Sequence, residues 1–182
     1  MNEVIKALEE RRSIRKFKSD MPSKEDIDQI IEAGLYAASG MGKQSSIVVA
    51  VTNKELRDKI SVDNRKVGGW DGEFDPFYGA PVILIVLADR NVGTYLYDGS
   101  LTMGNLMNAA HSLGLGSIWI HRAKEEFEQD FYKDLLKKRQ HANQENRQDK
   151  CDPPFPDPRF HLPLHGSTPI ASSAKRIPRT IG

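Results

Sequence analysis

The chain has 182 residues, enough for one domain with a sizeable core, or for a domain and a tail, but too few for two full domains. Its 26 Lys and Arg residues nearly balance 25 Asp and Glu residues, and the net charge of +1 gives no reason to expect a nucleic-acid partner. A single cysteine excludes an internal disulfide and a cysteine-based metal cluster. The charged first segment and the lack of a long apolar run argue against export and membrane insertion, so we expect a cytoplasmic protein with no metal site.

The first part of the chain predicts two helices, each followed by a polar segment. One helix runs from about residue 2 to 10 with Asn2 as its N-cap, and RRSIRKFK (residues 11–18) follows with five basic side chains around one serine. A second helix begins after Ser23, which resembles the start of a capping box. The small-residue loop SGMGKQSS ends this helix.

The remainder predicts strands that alternate with helices. In chain order we expect a strand at 47–51, a helix at 54–60 capped by Asn53, a loop at 63–79, a central strand at 80–88, a mostly buried helix at 95–115, a third strand at 117–120 and an amphipathic helix at 123–138 with Phe127, Phe131, Leu135 and Leu136 inward. This order indicates an α/β or α+β domain with helices on both sides of a small sheet. Three strands are few for a domain of this size.

Residues 139–182 differ in composition from the rest of the chain. They hold seven of the ten prolines and three of the five histidines, and they show neither strand nor helix periodicity, so we expect irregular structure. One interpretation is a flexible, proline-rich extension. Another is a reading frame displaced near Lys138, which would have replaced a final strand; sequencing the gene tests it, because a shifted frame should then encode an apolar strand.

Arg11, Arg12, Ser13 and Arg15 have the composition of a phosphate site. Guanidinium groups match phosphate oxygens with two parallel hydrogen bonds, and a hydroxyl with neighbouring backbone N–H groups completes such a site. A solvated basic turn is the simpler alternative. Nucleic-acid binding has less support, since no second basic stripe or interleaved aromatic residues accompany this run.

Two further segments have the character of ligand-binding loops. The loop ASGMGKQSS lets backbone approach a ligand closely, although an ordinary helix-ending loop has the same composition. The segment GLGSIWIHR places His121 and Arg122 after an apolar run, where flat ligands often bind in α/β folds. GxSxG, Walker, HExxH and CxxC motifs are missing from the sequence, so hydrolase, nucleotidase and zinc-site interpretations lack a motif.

Taken together and in order, RRSIRKF, AASGMGKQS before VVAVT, FYGAPVILIVLAD, and DGSLTMGNLMNAAHSLGLGSIWIHRA resemble the nitroreductase family of FMN-dependent oxidoreductases. The resemblance covers about residues 1–138 as one domain. It implies an α+β three-layer fold, a central mixed sheet flanked by helices, and an intertwined homodimer with FMN at the subunit interface.

Matched by position, the resemblance implies three groups of cofactor-binding residues. Those for the FMN phosphate and ribityl chain are Arg11, Arg12, Ser13 and Arg15, and those that reach the flavin from the other subunit are Ser39, Gly40 and Gly42. Those for the pyrimidine edge are Asn64 and Lys66, and those along the flavin ring are Trp119, Ile120 and His121.

The chemistry implied by the resemblance is ping-pong reduction of nitroaromatic, quinone or similar small acceptors, with NADH or NADPH as the reductant. Because the flavin carries the chemistry, we expect no catalytic side chain. The loop SGMGKQSS departs from the family's common SGMNRQPW, and nothing after Lys138 matches the family's closing strand. An alternative is therefore a flavin-binding homodimer with little turnover, and a third is a basic interaction module.

Overall fold

The computed structural model describes residues 2–137 and the backbone of residues 159–162. Three strands form one sheet: β1 (Ser46–Val51), β2 (Ile83–Ala88) and β3 (Arg159–Leu162). The α-helices are α1 (Glu3–Glu10), α2 (Lys24–Leu35), α3 (Lys54–Val67), α4 (Tyr95–Ser112) and α5 (Ala123–Phe127), followed by a helical stretch at residues 130–137. None of the helices among these residues is both long and apolar enough to cross a bilayer.

Three predicted helix starts are confirmed by the caps that the structure shows. The side chains of Asn2, Ser23 and Asn53 each accept a hydrogen bond from a backbone N–H in the first turn of α1, α2 and α3. Such a cap satisfies a donor that the helix itself leaves free, which stabilises the helix by about 1 kcal/mol. Local sequence therefore determines where these helices begin.

The sheet has the order β2-β1-β3, with β2 antiparallel and β3 parallel to β1. The predicted central position of β2 is wrong, because β1 occupies the centre of the described sheet and its residues 48–51 are fully buried. The apolar run of β2 is explained by packing on both faces of the sheet and not by a central position in it. Ile83, Ile85 and Leu87 pack into the hydrophobic cluster on one face, and Leu84 and Val86 pack into the cluster on the other.

The predicted strand at 117–120 is also wrong. Only Ser117 pairs there, in an isolated parallel bridge with Ser13. The chain has just turned at Gly114, whose φ of +75° follows the end of α4, and no strand of the described sheet borders it. Apolar character alone therefore did not distinguish a strand from an extended segment that packs against the core.

Two predicted helices have different bounds in the structure. Helix α3 continues to Val67, so Asn64 and Lys66 lie on a helix and not in a loop. The last predicted helix is interrupted at residues 128–129, which changes the phase of its buried face. As a result Phe131 is 47% exposed and Tyr132 is fully buried, in contrast to the expectation that Phe131 points inward.

The remainder of the predicted loop 63–79 is organised by Asp75. Its carboxylate accepts hydrogen bonds from Arg57, from the Ser61 hydroxyl, and from the backbone N–H groups of Phe77 and Gly79. Partial burial raises the pKa of Asp75, but these hydrogen bonds outweigh it and hold the pKa below its usual value. The carboxylate thus fixes a segment that has no secondary structure of its own.

Helices α1 and α4 pack against each other and leave an apolar surface uncovered. The helix α4 was expected to be mostly buried, but Leu101 is 52% exposed and only part of its apolar face meets the core. We call this the α1–α4 surface; its exposed residues are Val4, Ile5, Leu8, Leu96, Tyr97 and Leu101.

The segment 139–182, expected to be irregular, contributes β3 to the sheet through residues 159–162. The other residues of this segment, and with them the proposed frame displacement near Lys138, lie outside the described residues.

Candidate functional site

The structure brings the basic segment after α1 against the segment after α4. The backbone N–H of Ile14 donates to the Ser117 carbonyl at 3.0 Å, and a Cβ at Gly116 would lie 3.0 Å from the Ile14 side chain. The absence of a side chain at residue 116 therefore permits the close approach. Two of the three segments selected from the sequence form one local structure, with Ser13 opposite Ser117.

Each of these two segments has one polar side-chain atom that is buried without a partner among the described residues. These atoms are the Arg11 Nη1 and the Ser117 Oγ. A buried donor without an acceptor is costly, and an unpaired guanidinium nitrogen more so, which indicates that an anion or polar ligand belongs here. Ser13 and Arg15 are exposed next to it, free to face the same ligand.

Arg12 has a different environment from Arg11. Its Nη1 donates to the carbonyl oxygens of Glu9 at 2.5 Å and Arg11 at 2.8 Å. A cation on these free carbonyls stabilises the C-terminal end of α1. The structure thus gives Arg12 a capping role at this end of the helix.

The loop at 39–45 is fixed by the buried carboxylate of Asp98, in the first turn of α4. Asp98 accepts hydrogen bonds from the backbone N–H of Gly40 at 2.9 Å and from the hydroxyls of Ser45 and Thr94. The hydrogen bond from Gly40 is the main cause that lowers the pKa of Asp98, so the group is ionised at neutral pH. The Ser39 hydroxyl adds a bond by accepting from the Gln44 N–H.

The backbone conformation of this loop favours glycine at residues 40 and 42, whether or not these residues also contact a ligand. A Cβ at Gly40 would lie 2.3 Å from the Thr94 hydroxyl, and Gly42 has a φ of +65°. Met41 and Gln44 adopt positive φ without being glycine, which costs on the order of 1 kcal/mol each. The Asp98 hydrogen bonds hold the loop in this strained form.

We therefore expect Asp98→Ala to loosen the loop at 39–45. The amide of Gly40 should exchange with solvent roughly tenfold faster or more, because its charge-assisted hydrogen bond is lost. Hydrogen exchange with peptide resolution measures this. Asp89→Ala is the matched control, since the hydrogen bonds that the Asp89 side chain accepts within the described part of the chain come from Asn91 and not from the loop; equal protection of the loop in both variants would contradict the anchoring role.

The end of the selected segment GLGSIWIHR, residues 119–122, lies over the end of α3. Trp119 and His121 are exposed, and Ile120 packs against the core. Asn64 is 1% exposed and donates from its Nδ2 to the His121 carbonyl at 3.0 Å, so it contacts this segment directly, and its role toward the pyrimidine edge stays a prediction. Lys66 is exposed on the same helix.

Arg122 adopts a left-handed conformation, with a φ of +88°, directly after this segment. Its guanidinium lies 4.2 Å from the ring centroid of Trp70, a favourable cation–π geometry. A non-glycine residue in this region is strained by about 1 to 3 kcal/mol and persists only where the surroundings impose it.

Glu126 lies in α5, shortly after Arg122, and it is a buried acid. It is 3% exposed, and its Oε1 has no hydrogen-bond partner among the described residues, as is also true of the Asn64 Oδ1. Burial raises the pKa of Glu126 to about 7 against the opposing effect of a hydrogen bond with Asn64, so much of it carries a proton at neutral pH.

The two halves of the candidate site lie at opposite ends of α4. The loop at 39–45 is tied to Asp98 at the start of this 18-residue helix, whereas Ser117 follows its end. A helix of this length spans about 27 Å. A single ligand on Arg11 and Ser117 of one chain is therefore far from the 39–45 loop of that same chain.

Three residues of the site escaped the sequence analysis, namely Ser117, Asp98 and Glu126, and the left-handed conformation of Arg122 was not predicted. Asp98 had a usable signal, since it precedes Thr102, Leu106 and Ala110 at intervals of four on a buried face. A carboxylate on such a stripe predicts a buried partner. Asn64 has the same signal, four residues after Ile60 on the buried face of α3.

A family model described as the nitroreductase family matches residues 8–144. This chain belongs to the nitroreductase family. The match includes all three segments described above, and it runs past Lys138, where the resemblance was expected to end. The predicted family and its α+β fold are confirmed.

Among curated members of the nitroreductase family, the chain is 34% identical over 140 residues to an FMN reductase (NAD(P)H) of Bacillus subtilis, covering 65% of this chain and 53% of that protein. It is 32% identical over 129 residues to an NADPH-flavin oxidoreductase of Vibrio harveyi, covering 66% and 54%. The chain thus spans about half the length of these two relatives.

Solved structures of nitroreductases share the fold. One from Bacteroides fragilis with bound FMN superposes with a TM-score of 0.66 at 27% identity, covering 76% of this chain and 80% of that one. An FMN-dependent nitroreductase from Clostridium difficile gives 0.64 at 31% identity, covering 75% and 70%.

Proposed function

We propose that this nitroreductase-family chain is an FMN-dependent oxidoreductase that uses NADH or NADPH to reduce small acceptors such as nitroaromatics or quinones. The observation that carries the proposal is the buried Arg11 Nη1, which has no hydrogen-bond partner among the described residues and belongs to a residue two positions before the Ser13–Ser117 bridge. A phosphate monoester supplies the anion that this nitrogen needs. The names of the relatives, which include FMN reductase and NADPH-flavin oxidoreductase, support the same cofactor and reductants.

In this proposal Arg11, Ser13 and Arg15 bind the phosphate and the ribityl chain, and the Ser117 hydroxyl adds a polar contact. Two guanidinium groups supply charge-assisted hydrogen bonds, which are about twice as strong as neutral ones. Arg12 stabilises the turn that presents Arg11 by bonding the last carbonyls of α1.

Residues 119–121 and the surface around Lys66 line the flavin ring. FMN held there would supply the redox chemistry, since it can take electrons from NADH or NADPH and pass them to the acceptor. The chain itself binds and orients the cofactor, and its backbone N–H groups at this segment stabilise negative charge on the reduced ring. No side-chain acid or base is needed at the reacting atoms.

The site is completed, we propose, by a second copy of the chain in a homodimer. The distance between the two ends of α4 supports this, because the loop with Ser39, Gly40 and Gly42 reaches a flavin only from the partner. The uncovered α1–α4 surface supports it as well, since six large apolar side chains there are exposed in the single chain.

A charge on the α1–α4 surface is expected to separate the dimer. In Leu101→Lys, an ammonium without a partner would be buried at the interface, which weakens association by about 3 kcal/mol, or roughly 100-fold in Kd. Analytical ultracentrifugation measures the shift to monomer. Val62→Lys is the matched control, an aliphatic residue 38% exposed on α3; a dimer of unchanged stability in Leu101→Lys would place the interface elsewhere.

Absorption spectroscopy tests the function itself. The purified protein, reconstituted with FMN if necessary, should show a flavin spectrum that NADH or NADPH bleaches and that a quinone or nitroaromatic restores. Failure to bind FMN would overturn the proposal. Bound FMN that stays oxidised under excess NADH and NADPH would instead leave a flavin-binding protein without turnover.

A further inference from the structure

A second polar structure lies beneath the segment 119–122, outside the phosphate contacts. The Asn64 Nδ2 holds the His121 carbonyl at 3.0 Å, and the backbone N–H of Glu126 donates to the Arg122 carbonyl at 3.1 Å. The carbonyl groups of His121 and of the strained Arg122 are therefore each held by a hydrogen bond, the first from α3 and the second from α5. The carboxyl of Glu126 is buried where these two helices meet.

Burial and the neighbouring acids Asp63 and Glu125 disfavour the charged form of Glu126, and together they outweigh a hydrogen bond with Asn64 and the charge of Arg122, which favour it. The Arg122 guanidinium lies over Trp70. Asp63 is already engaged with Lys59 at 2.8 Å and with the Tyr132 hydroxyl at 2.6 Å, and burial raises the pKa of that tyrosine, which stays protonated. A proton on Glu126 avoids a second buried anion next to Asp63.

We propose that Glu126 and Asn64 are positioning residues, which hold the His121–Arg122 backbone in the conformation that the flavin ring requires. This inference rests on the proposed function for the location of the flavin. The inference predicts that FMN affinity depends on pH through a titrating group of the protein, in addition to the ionisation of FMN. When Glu126 loses its proton, a buried anion appears beneath the segment, and the strained conformation at Arg122 loses its support.

FMN affinity measured as a function of pH tests the proposal. Quenching of FMN fluorescence gives the Kd for wild type, Glu126→Gln, Asn64→Ala and the matched control Glu125→Gln, an exposed acid on the same helix. Between about pH 6 and 8.5, wild type and the control should weaken roughly tenfold relative to Glu126→Gln, which keeps a neutral side chain throughout. The ionisation of FMN itself changes the Kd of wild type and of Glu126→Gln alike, so its effect cancels when the two are compared.

Asn64→Ala should bind FMN more weakly at every pH, since the His121 carbonyl then has no donor. Tryptophan fluorescence of the FMN-free protein, measured with Trp119→Phe in every chain compared, provides an independent measurement, because Trp70 is then the single tryptophan and Arg122 lies against its ring. Its emission should titrate near neutral pH in wild type and not in Glu126→Gln.

The outcomes separate this inference from the proposed function. If wild type binds FMN but Glu126→Gln shows the same pH dependence, and Trp70 emission titrates alike in both, the positioning role is wrong and the function stands. If wild type binds no FMN at any pH, the function fails and this inference fails with it.

Discussion

The free energy of unfolding of the wild-type protein is expected to fall by about 3 kcal/mol as pH rises from 4.5 through 7, and the Glu126→Gln variant should not show this fall. The pKa of this carboxyl is about 7 in the folded chain and 4.5 in the unfolded chain, so between these values the folded state holds the extra proton. Stability from this group is complete below pH 4.5, falls across the interval, and is constant above it.

Urea unfolding of the FMN-free protein at several pH values measures this difference. The free energy of unfolding of Glu126→Gln minus that of wild type should increase with pH and level off above about pH 8. Glu125→Gln should follow wild type throughout. A difference that is independent of pH would show that Glu126 is ionised in the folded protein despite its burial.

Arg11→Ala is expected to weaken FMN binding by about 1.5 to 3 kcal/mol, which is roughly 10- to 150-fold in Kd. The reason is that Arg11 Nη1 is buried and has no acceptor among the described residues, so the phosphate is its natural partner. The Arg11→Ala substitution would therefore remove a charge-assisted hydrogen bond to the phosphate whose donor is already buried in the FMN-free chain.

Titration calorimetry with FMN and with riboflavin distinguishes a phosphate contact from a general effect. The loss should be large for FMN and small for riboflavin, which lacks the phosphate. Lys16→Ala is the matched control, an exposed cation in the same segment, and it should change the Kd about twofold at most. A similar loss for both ligands in Arg11→Ala would remove Arg11 from the phosphate site.

Much of the local structure was predictable because its causes are local. Asn2, Ser23 and Asn53 marked three helix starts correctly, since a cap needs only the residues of the first turn. The same holds for β1, whose β-branched run was placed within one residue of its bounds.

Predictions that depended on distant parts of the chain were less successful. The strand expected at 117–120 did not form, and β2 lies at an edge of the described sheet. A buried apolar run indicates covered faces, but strand order depends on which segments pair across the chain. The pairing of β3 with β1 came from residues 159–162, where composition gave no indication of a strand.

The sequence by itself determined the family, the helix starts and the basic segment at residues 11–15, because motifs and caps are written in consecutive residues. Only the tertiary structure decided that Arg11 and Ser117 each have a buried atom without a partner among the described residues, that Asp98 holds the 39–45 loop, and that Asn64 contacts His121. The physical reason is burial, since a polar group reveals its role only when packing removes water and leaves it with one partner or none.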